Sequence, residues 1–236
     1  MARSHMQTQA AASDRLDRSR QAAPQVYERL RGLITALVLP PGALLSRTAL
    51  AAEFSLSSTP IRDALMRLAE EGLVDVFPQH ATLVSRIDVQ QAGLAHFLRQ
   101  ALELEIVRML ALQPEPALTA DLEALIARQR RFAKAGDLEA FMEADNAFHA
   151  RLFEAAGKQD LWLLVRSRSG HIDRLRRLHL PSPGRAQAIL KHHRLIARAI
   201  ADRKPDEAQT ELRAHLSGTL GELATIRKHH PDYLSG

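Results

Sequence analysis

The sequence predicts a mainly α protein in two parts: a small N-terminal unit of three helices and a two-stranded hairpin, then an antiparallel bundle of about six helices. Three observations carry this. Apolar residues recur at helical spacing through most of the chain. Alternating or β-branched runs are confined to residues 73–77 and 82–86. From Val89 onward the breakers are few and widely spaced, at Pro114, Pro116, Gly136, Gly157, Pro181, Pro183 and Pro205.

The elements follow in order. Residues 25–37 place Val26, Leu30, Leu33, Ile34 and Leu37 on one helical face, and Pro40, Pro41 and Gly42 end the run. A short helix is expected near 48–54, a Ser-rich turn at 55–58 and a second helix near 59–71, closed by Gly72. The two β-like runs, with Pro78-Gln79-His80 between them, read as a hairpin. Beyond them the breaker spacing predicts helices of roughly 18 to 22 residues joined by short connections, which favours antiparallel neighbours. The expected organisation is a flexible leader at 1–20, whose first six residues could be a cloning remnant, a unit at 21–87, a helical unit at 88–230 and a tail at 231–236.

Composition excludes several classes. Of 236 residues, 46% are hydrophobic and 25% charged, which argues against a disordered or fibrous chain. No apolar run approaches the roughly 18 residues of a membrane span, and no charged flank precedes an apolar run at the start, so a cytoplasmic protein with no membrane partner is expected. Zero cysteines remove thiol catalysis, disulfides and thiolate metal sites. The net charge of +5 is a weak pointer to nucleic acid, because it is spread evenly: residues 1–86 carry ten Arg against eight acids, the remainder 22 bases against 19.

Residue order is more specific. Leu39-Pro-Pro-Gly-Ala-Leu-Leu-Ser46, then Leu50-Ala-Ala-Glu-Phe54, then Ser58-Thr-Pro-Ile-Arg-Asp-Ala-Leu-Met-Arg-Leu-Ala-Glu-Glu-Gly-Leu-Val74 resembles the winged helix-turn-helix of GntR-family bacterial transcription regulators. The helix opening at Ser58 suits a DNA groove on physical grounds. Its first N–H groups and the hydroxyls of Ser57, Ser58 and Thr59 can take phosphate, and Arg62, one turn in, can reach a guanine edge or a phosphate. Arg47 and Thr48 on the preceding short helix and His80 at the hairpin tip complete the expected DNA-contacting set, whereas Arg67 lies on another face and reads as solvated. The chain departs from the family pattern at Ser58, where Arg is usual, at Arg47, one residue early, and at Ala81, where the wing tip usually has Gly. An operator inferred from relatives would therefore be unsafe.

A second resemblance, over about 90–228, is to the FCD effector domain of the FadR subfamily, and the helix count is similar to its VanR-like branch. It is carried by residues 97–103, by Phe141-Met-Glu-Ala-Asp-Asn-Ala-Phe-His149, by His193-Arg-Leu-Ile-Ala-Arg-Ala-Ile200, and by residues 208–216 with His215. Spacing alone makes part of the case. Asp145 and His149 stand i, i+4 on one helix, roughly 6 Å apart along its axis. His193 lies twelve residues before Pro205 and His215 ten after it, so two antiparallel helices bring them level. An Asp/His pair also arises by chance, and the resemblance is what assigns Asp145, His149, His193 and His215 as ligands of a divalent ion, with Zn, Ni and Mn all suited. It prefers His193 over His192, which faces about 100° away.

Arg99, Arg174 and His171 are candidates to meet a carboxylate beside the metal. The reading is a homodimeric DNA-binding regulator, a repressor by resemblance, whose two heads hold a near-palindromic operator and whose helical unit takes a small organic acid. A metal-dependent hydrolase using the same site is the alternative, opposed by the absence of a nucleophile motif or phosphate loop. A regulator with a purely structural metal is a third.

Overall fold

A computed structural model describes residues 16, 17, 19–77 and 81–236, so most of the expected leader, and Pro78, Gln79 and His80 at the hairpin tip, lie outside the described residues. The chain divides into two compact units, Met1–Gln90 with His229–Gly236, and Gln91–Lys228.

The first unit holds α1 (Ala22–Thr35), α2 (Arg47–Phe54), α3 (Ser58–Glu70), the strands β1 (Val74–Phe77) and β2 (Ala81–Val84), and the short strands β3 (Ile87–Asp88) and β4 (Leu234–Ser235). It is a helix-turn-helix with a hairpin wing. Val26, Leu30 and Ile34 are fully buried one turn apart on α1 and meet Ile61, Leu65 and Leu68 of α3 and Leu73 in one core. Ser46 caps α2 by accepting from Ala49 N, and α3 closes through Gly72, whose φ of +71° suits a residue without Cβ. β1 and β2 pair antiparallel from Val74↔Val84 to Phe77↔Ala81.

Two features were not legible in the sequence. The Pro-Pro-Gly turn delivers residues 42–45 to the free edge of β2, where Gly42 N donates to Val84 O and Leu45 N to Thr82 O, both at 2.8 Å. Residues 231–236, expected as a tail, carry β4, which pairs parallel with β3 and buries Leu234 opposite Ile87. Arg67 also does more than face solvent: its guanidinium lies 3.9 Å over the Tyr27 ring, while the Tyr27 hydroxyl and Arg31 Nε both donate to Glu71.

The second unit is helical, with α4 (Val89–Leu112), α5 (Pro116–Ala135), α6 (Leu138–Ala155), α7 (Gln159–Arg168), α8 (Gly170–His179), α9 (Arg185–Ala201), α10 (Pro205–Ser217) and α11 (Leu223–His229). These are eight helices where the breaker spacing predicts about six. One added break falls at Ser169-Gly170: Gly170 is a weak helix former, and Ser169 Oγ donates to Asp173 Oδ2 at 2.7 Å, so the hydroxyl serves the start of a new helix. Pro116 and Pro205 stand in the first turns of α5 and α10, where a missing donor costs nothing. The core interleaves Leu122 and Ile126 of α5, Phe141, Phe148 and Leu152 of α6, Ile196 and Ile200 of α9 and Leu212 of α10. Among the described residues no helix is long and apolar enough to cross a membrane.

Leu122 is fully buried in this core. Its replacement by Ala should destabilise the helical unit by about 2–5 kcal/mol, read as a lower urea midpoint at unchanged m.

Candidate metal centre and nucleic-acid interface

Four polar side chains converge in the middle of the helical unit. Asp145 and His149 come from α6, His193 from α9 and His215 from α10; all are buried, and one donor atom from each lies within 4.8 Å of all the others. His193 Nε2 stands 3.5 Å from Asp145 Oδ1, His149 Nε2 3.8 Å from Asp145 Oδ2, and the His149 and His215 Nε2 atoms are 3.1 Å apart. Phe148 stacks on His193 at 3.9 Å, nearly parallel. Geometry thus brings together the four residues expected as ligands, and the turn at Pro205 does place His193 and His215 level.

The surrounding side chains set which ring nitrogens are free. Glu103 of α4 accepts from His149 Nδ1 at 2.7 Å, and Gln129 of α5 accepts at Oε1 from His193 Nδ1 at 2.9 Å, while its Nε2 donates to Asp145 Oδ1 at 3.3 Å. A carboxylate can only accept, so His149 carries its proton at Nδ1 and turns a lone pair inward from Nε2. His193 Nε2 and His215 Nδ1 are buried with no hydrogen-bond partner. An orphaned buried nitrogen is costly in a finished core and fits a ligand position. The fourth donor is also fastened: Arg176 of α8 donates to Asp145 Oδ2, and to Asp173 at 3.1 Å.

Electrostatics favour the ligand forms of all four. Burial pushes His193 down to about 3, burial and then the neighbouring His193 and His149 push His215 well below its ordinary value, and burial, followed by Arg99, lowers His149. The rings are therefore neutral near pH 7. Burial would raise Asp145 and Glu103, but Arg176 beside the first and Arg99 beside the second outweigh it, holding Asp145 well below the carboxylate range and Glu103 at about 2. One carboxylate and three neutral imidazoles, with no thiolate, suit a divalent first-row ion.

A narrow cavity of about 20 Å³, room for about one water, opens against His215 between Arg99, Arg176, Arg185, Ile172 and Ile189. Arg99 is held by its Nε to Glu103 at 2.6 Å, and its buried Nη2 has no hydrogen-bond partner. Arg185 lies across Gly218, where a Cβ would fall 2.2 Å from its Nη1. Of the residues expected to meet a carboxylate, Arg99 is on this wall. Arg174 and His171 are not: both are buried on α8 and bond to each other at 2.9 Å. The guanidinium that α8 turns toward the cluster is Arg176, two residues on. His192 faces away, as the helix angle required, and pairs with Glu211 at 2.8 Å, while His96, read as structural or solvated, lines the cavity.

Sequence reasoning missed Glu103, Gln129, Arg176 and Arg185. Two carried a signal. Glu103 stands i, i+4 from Arg99, and Gln129 continues the buried stripe of Leu118, Leu122 and Ile126, a polar residue where apolar ones belong. Arg176 carried none, lying among other basic residues, and neither did Arg185, next to the Pro-Ser-Pro-Gly turn.

On the first unit, Arg47, Thr48, Ser58, Thr59 and Arg62 line one exposed concavity between α2 and the start of α3. Ser57 precedes α3 without bonding its first turn, leaving those N–H groups to a ligand. Arg62 makes only an exposed pair with Asp63 at 3.3 Å.

Comparison with known proteins agrees with this division. Residues 22–84 match the family of bacterial regulatory proteins called gntR, and residues 94–218 match the FCD domain. The chain is 38% identical to an HTH-type transcriptional regulator in an unstable DNA locus of Streptomyces ambofaciens, over 88% of this chain and 87% of that one. It is 28% identical to the HTH-type transcriptional repressor RspR of Escherichia coli K12, over 89% and 92%. Among solved structures, E. coli McbR/YncC shares the fold at a TM-score of 0.74 and 20% identity, covering 89% of this chain and 99% of that one. The chain belongs to the GntR family of bacterial transcription regulators, in the FadR subfamily defined by the FCD domain. It is a DNA-binding regulator with a buried Asp/His cluster, and its relatives are regulators, not enzymes.

The buried histidines give a pH dependence. Their folded pKa values lie below the unfolded value of about 6.5, so under that pH the unfolded chain binds more protons and stability rises with pH. Metal-free protein should lose up to about 1.4 kcal/mol per pH unit per histidine as pH falls from 6.5 towards 5, measured by urea unfolding with chelator present. His193→Gln should flatten that slope. Asp145 and Glu103 act in the same direction only lower, as pH falls through about 4.

Proposed function

We propose that this regulator is a repressor whose operator affinity is set by a small organic acid, held in the helical unit beside a divalent ion that Asp145, His149, His193 and His215 bind. The observation that carries the reading is the adjacency of the two halves: an Asp/His₃ set of one carboxylate and three neutral rings with orphaned nitrogens, and an arginine-walled cavity that shares His215 with it. The ion, Zn, Ni or Mn, supplies an electrophilic centre with open positions for an acid's oxygens. Arg99, with an unsatisfied Nη2, and Arg176 and Arg185 are placed to neutralise carboxylate charge. The effector role expected of Arg174 and His171 passes to these two.

The cavity holds about one water, so an acid enters only if a wall yields, and the Arg185 guanidinium, the far end of a long side chain lying over Gly218, is the part of the wall best able to move. A ligand that binds one arrangement of the helices more tightly than another shifts their balance by that difference, and 1–3 kcal/mol changes DNA affinity roughly 5- to 150-fold.

DNA is met by α3. Its first-turn N–H groups with Ser57, Ser58 and Thr59 take phosphate, Arg62 reaches a base edge or phosphate, and Arg47 and Thr48 hold the backbone from α2; His80, outside the described residues, is a further expected DNA contact. Two heads on one near-palindromic site require a homodimer. Leu94 and Phe97 on α4 and Leu163 and Leu164 on α7 are exposed apolar side chains suited to cover by a second copy. The repressor named among the relatives supports the sign, and a role on DNA supports a cytoplasmic location.

Two measurements test this. In fluorescence anisotropy on the gene's own upstream DNA, Arg62→Ala should weaken specific binding about tenfold and lower the salt slope by about 1. No sequence preference in the parent would overturn DNA reading. In a thermal-shift panel, carboxylates should raise the melting temperature of metal-loaded protein and leave His149→Ala unchanged. Chelation that lowers melting while no acid raises it would leave a structural metal only.

A further inference from the structure

Gln129 belongs to α5, a helix that supplies no expected ligand, yet it touches two of them. We propose that Gln129 is a positioning residue for the metal centre, its amide setting the tautomer of His193 and the direction of the Asp145 carboxylate. The inference rests on the metal reading above.

The orientation of the amide follows from chemistry. Ionised Asp145 offers only acceptors, so the NH₂ group must be the part that faces Oδ1, at 3.3 Å. The carbonyl oxygen then faces His193 Nδ1 at 2.9 Å and needs a donor there. The proton therefore sits on Nδ1 and the lone pair on Nε2. That Nε2 is the atom left buried without a hydrogen-bond partner, 3.5 Å from the same carboxylate. One amide thus fixes two ligands against each other: reversing it would put NH₂ against the ring and oxygen against carboxylate.

Two further contacts make the amide rigid. Gln129 is fully buried below Leu122 and Ile126, so it has no route to water, and Phe148 stacked at 3.9 Å blocks rotation of the His193 ring. Arg176 holds the other Asp145 oxygen, so the carboxylate is gripped from α5 and α8 at once. Glu103 performs the corresponding task for His149 with a charged acceptor. A neutral amide behind one ring and a carboxylate behind another makes His149 the more basic donor and His193 the weaker one.

The test uses the full chain and the variants Gln129→Met, which keeps length without hydrogen bonds, and Gln129→Glu, which keeps an acceptor for His193 but opposes Asp145 with charge. Long-range ¹H–¹⁵N spectra of metal-free protein should show His193 protonated at Nδ1 in the parent and in Gln129→Glu, and a tautomer mixture in Gln129→Met. Cobalt(II) affinity by chelator competition should fall roughly 10- to 100-fold in both variants, with altered ligand-field bands. The control His192→Ala should change neither. If Gln129→Met does not fold, Gln129→Glu decides through the cobalt measurements. Parent-like cobalt affinity and spectrum in the folded variants, with an unchanged His193 tautomer, would overturn the positioning role. A parent that takes up no cobalt would instead overturn the metal reading, and the tautomer comparison would then judge Gln129 by itself.

Discussion

A polar group withdrawn from water has to be matched inside the protein, and the helical unit is organised around meeting that demand at one point. An apolar bundle of this size could close on leucine and phenylalanine alone. It buries one aspartate and three imidazoles at its centre instead, and the groups behind them follow from that choice. Glu103 and Gln129 take up the outer ring protons, Arg176 balances Asp145, and Arg99 balances Glu103. Glu103, Gln129 and Arg176 each come from a helix other than that of the ligand they serve, so the cluster ties α4, α5 and α8 to α6 and α9. What the network leaves unmatched among the described residues is a ring nitrogen on each of His193 and His215 and one guanidinium nitrogen of Arg99, a residue of the cavity wall.

That arrangement links the cluster and the cavity through shared residues. Arg99 reaches the cavity with one nitrogen and, through Glu103, stands behind His149 with another. Arg176 holds Asp145 and also lines the cavity. Charge arriving in the cavity therefore acts on the same guanidinium groups that orient the cluster. His215, common to the cluster and the cavity wall, is the point where the two meet.

The DNA-reading unit follows a different logic. Its surface residues are few, exposed and lightly constrained, and its stability comes from the α1 and α3 core and from a wing lengthened by residues 42–45. The polar work inside it is done by Glu71, which receives both the Tyr27 hydroxyl and Arg31. Burial first, and then Glu71, push Tyr27 up to about 12, so the phenol remains a donor at any physiological pH. Orientation of α3 thus depends on interior contacts, while sequence preference is left to side chains that can change without disturbing them.

Much of this was legible in residue order. Helical periodicity and breaker positions determined the helix-turn-helix, its hairpin and the bundle, because those signals are local and repeat within each element. The four clustered residues were legible as well: i, i+4 spacing and symmetry about a turn suggested them, and the resemblance to the FCD domain assigned them. Other features depended on contacts between segments far apart in the chain. Gln129 lies 64 residues from His193 and Arg176 31 from Asp145, so neither partner can be read locally, and nothing in the sequence around Arg176 separates it from its basic neighbour Arg177. Arg174 and Arg176 differ by two positions, about 200° around a helix, and only packing decided which of them turned to the cluster. Likewise β4 could not be read as a strand, because two residues gain that geometry only by pairing with β3, far earlier in the chain. Sequence alone determined the elements and the ligand types; the tertiary structure decided their partners, because hydrogen-bond complementarity between remote side chains exists only once the helices have packed.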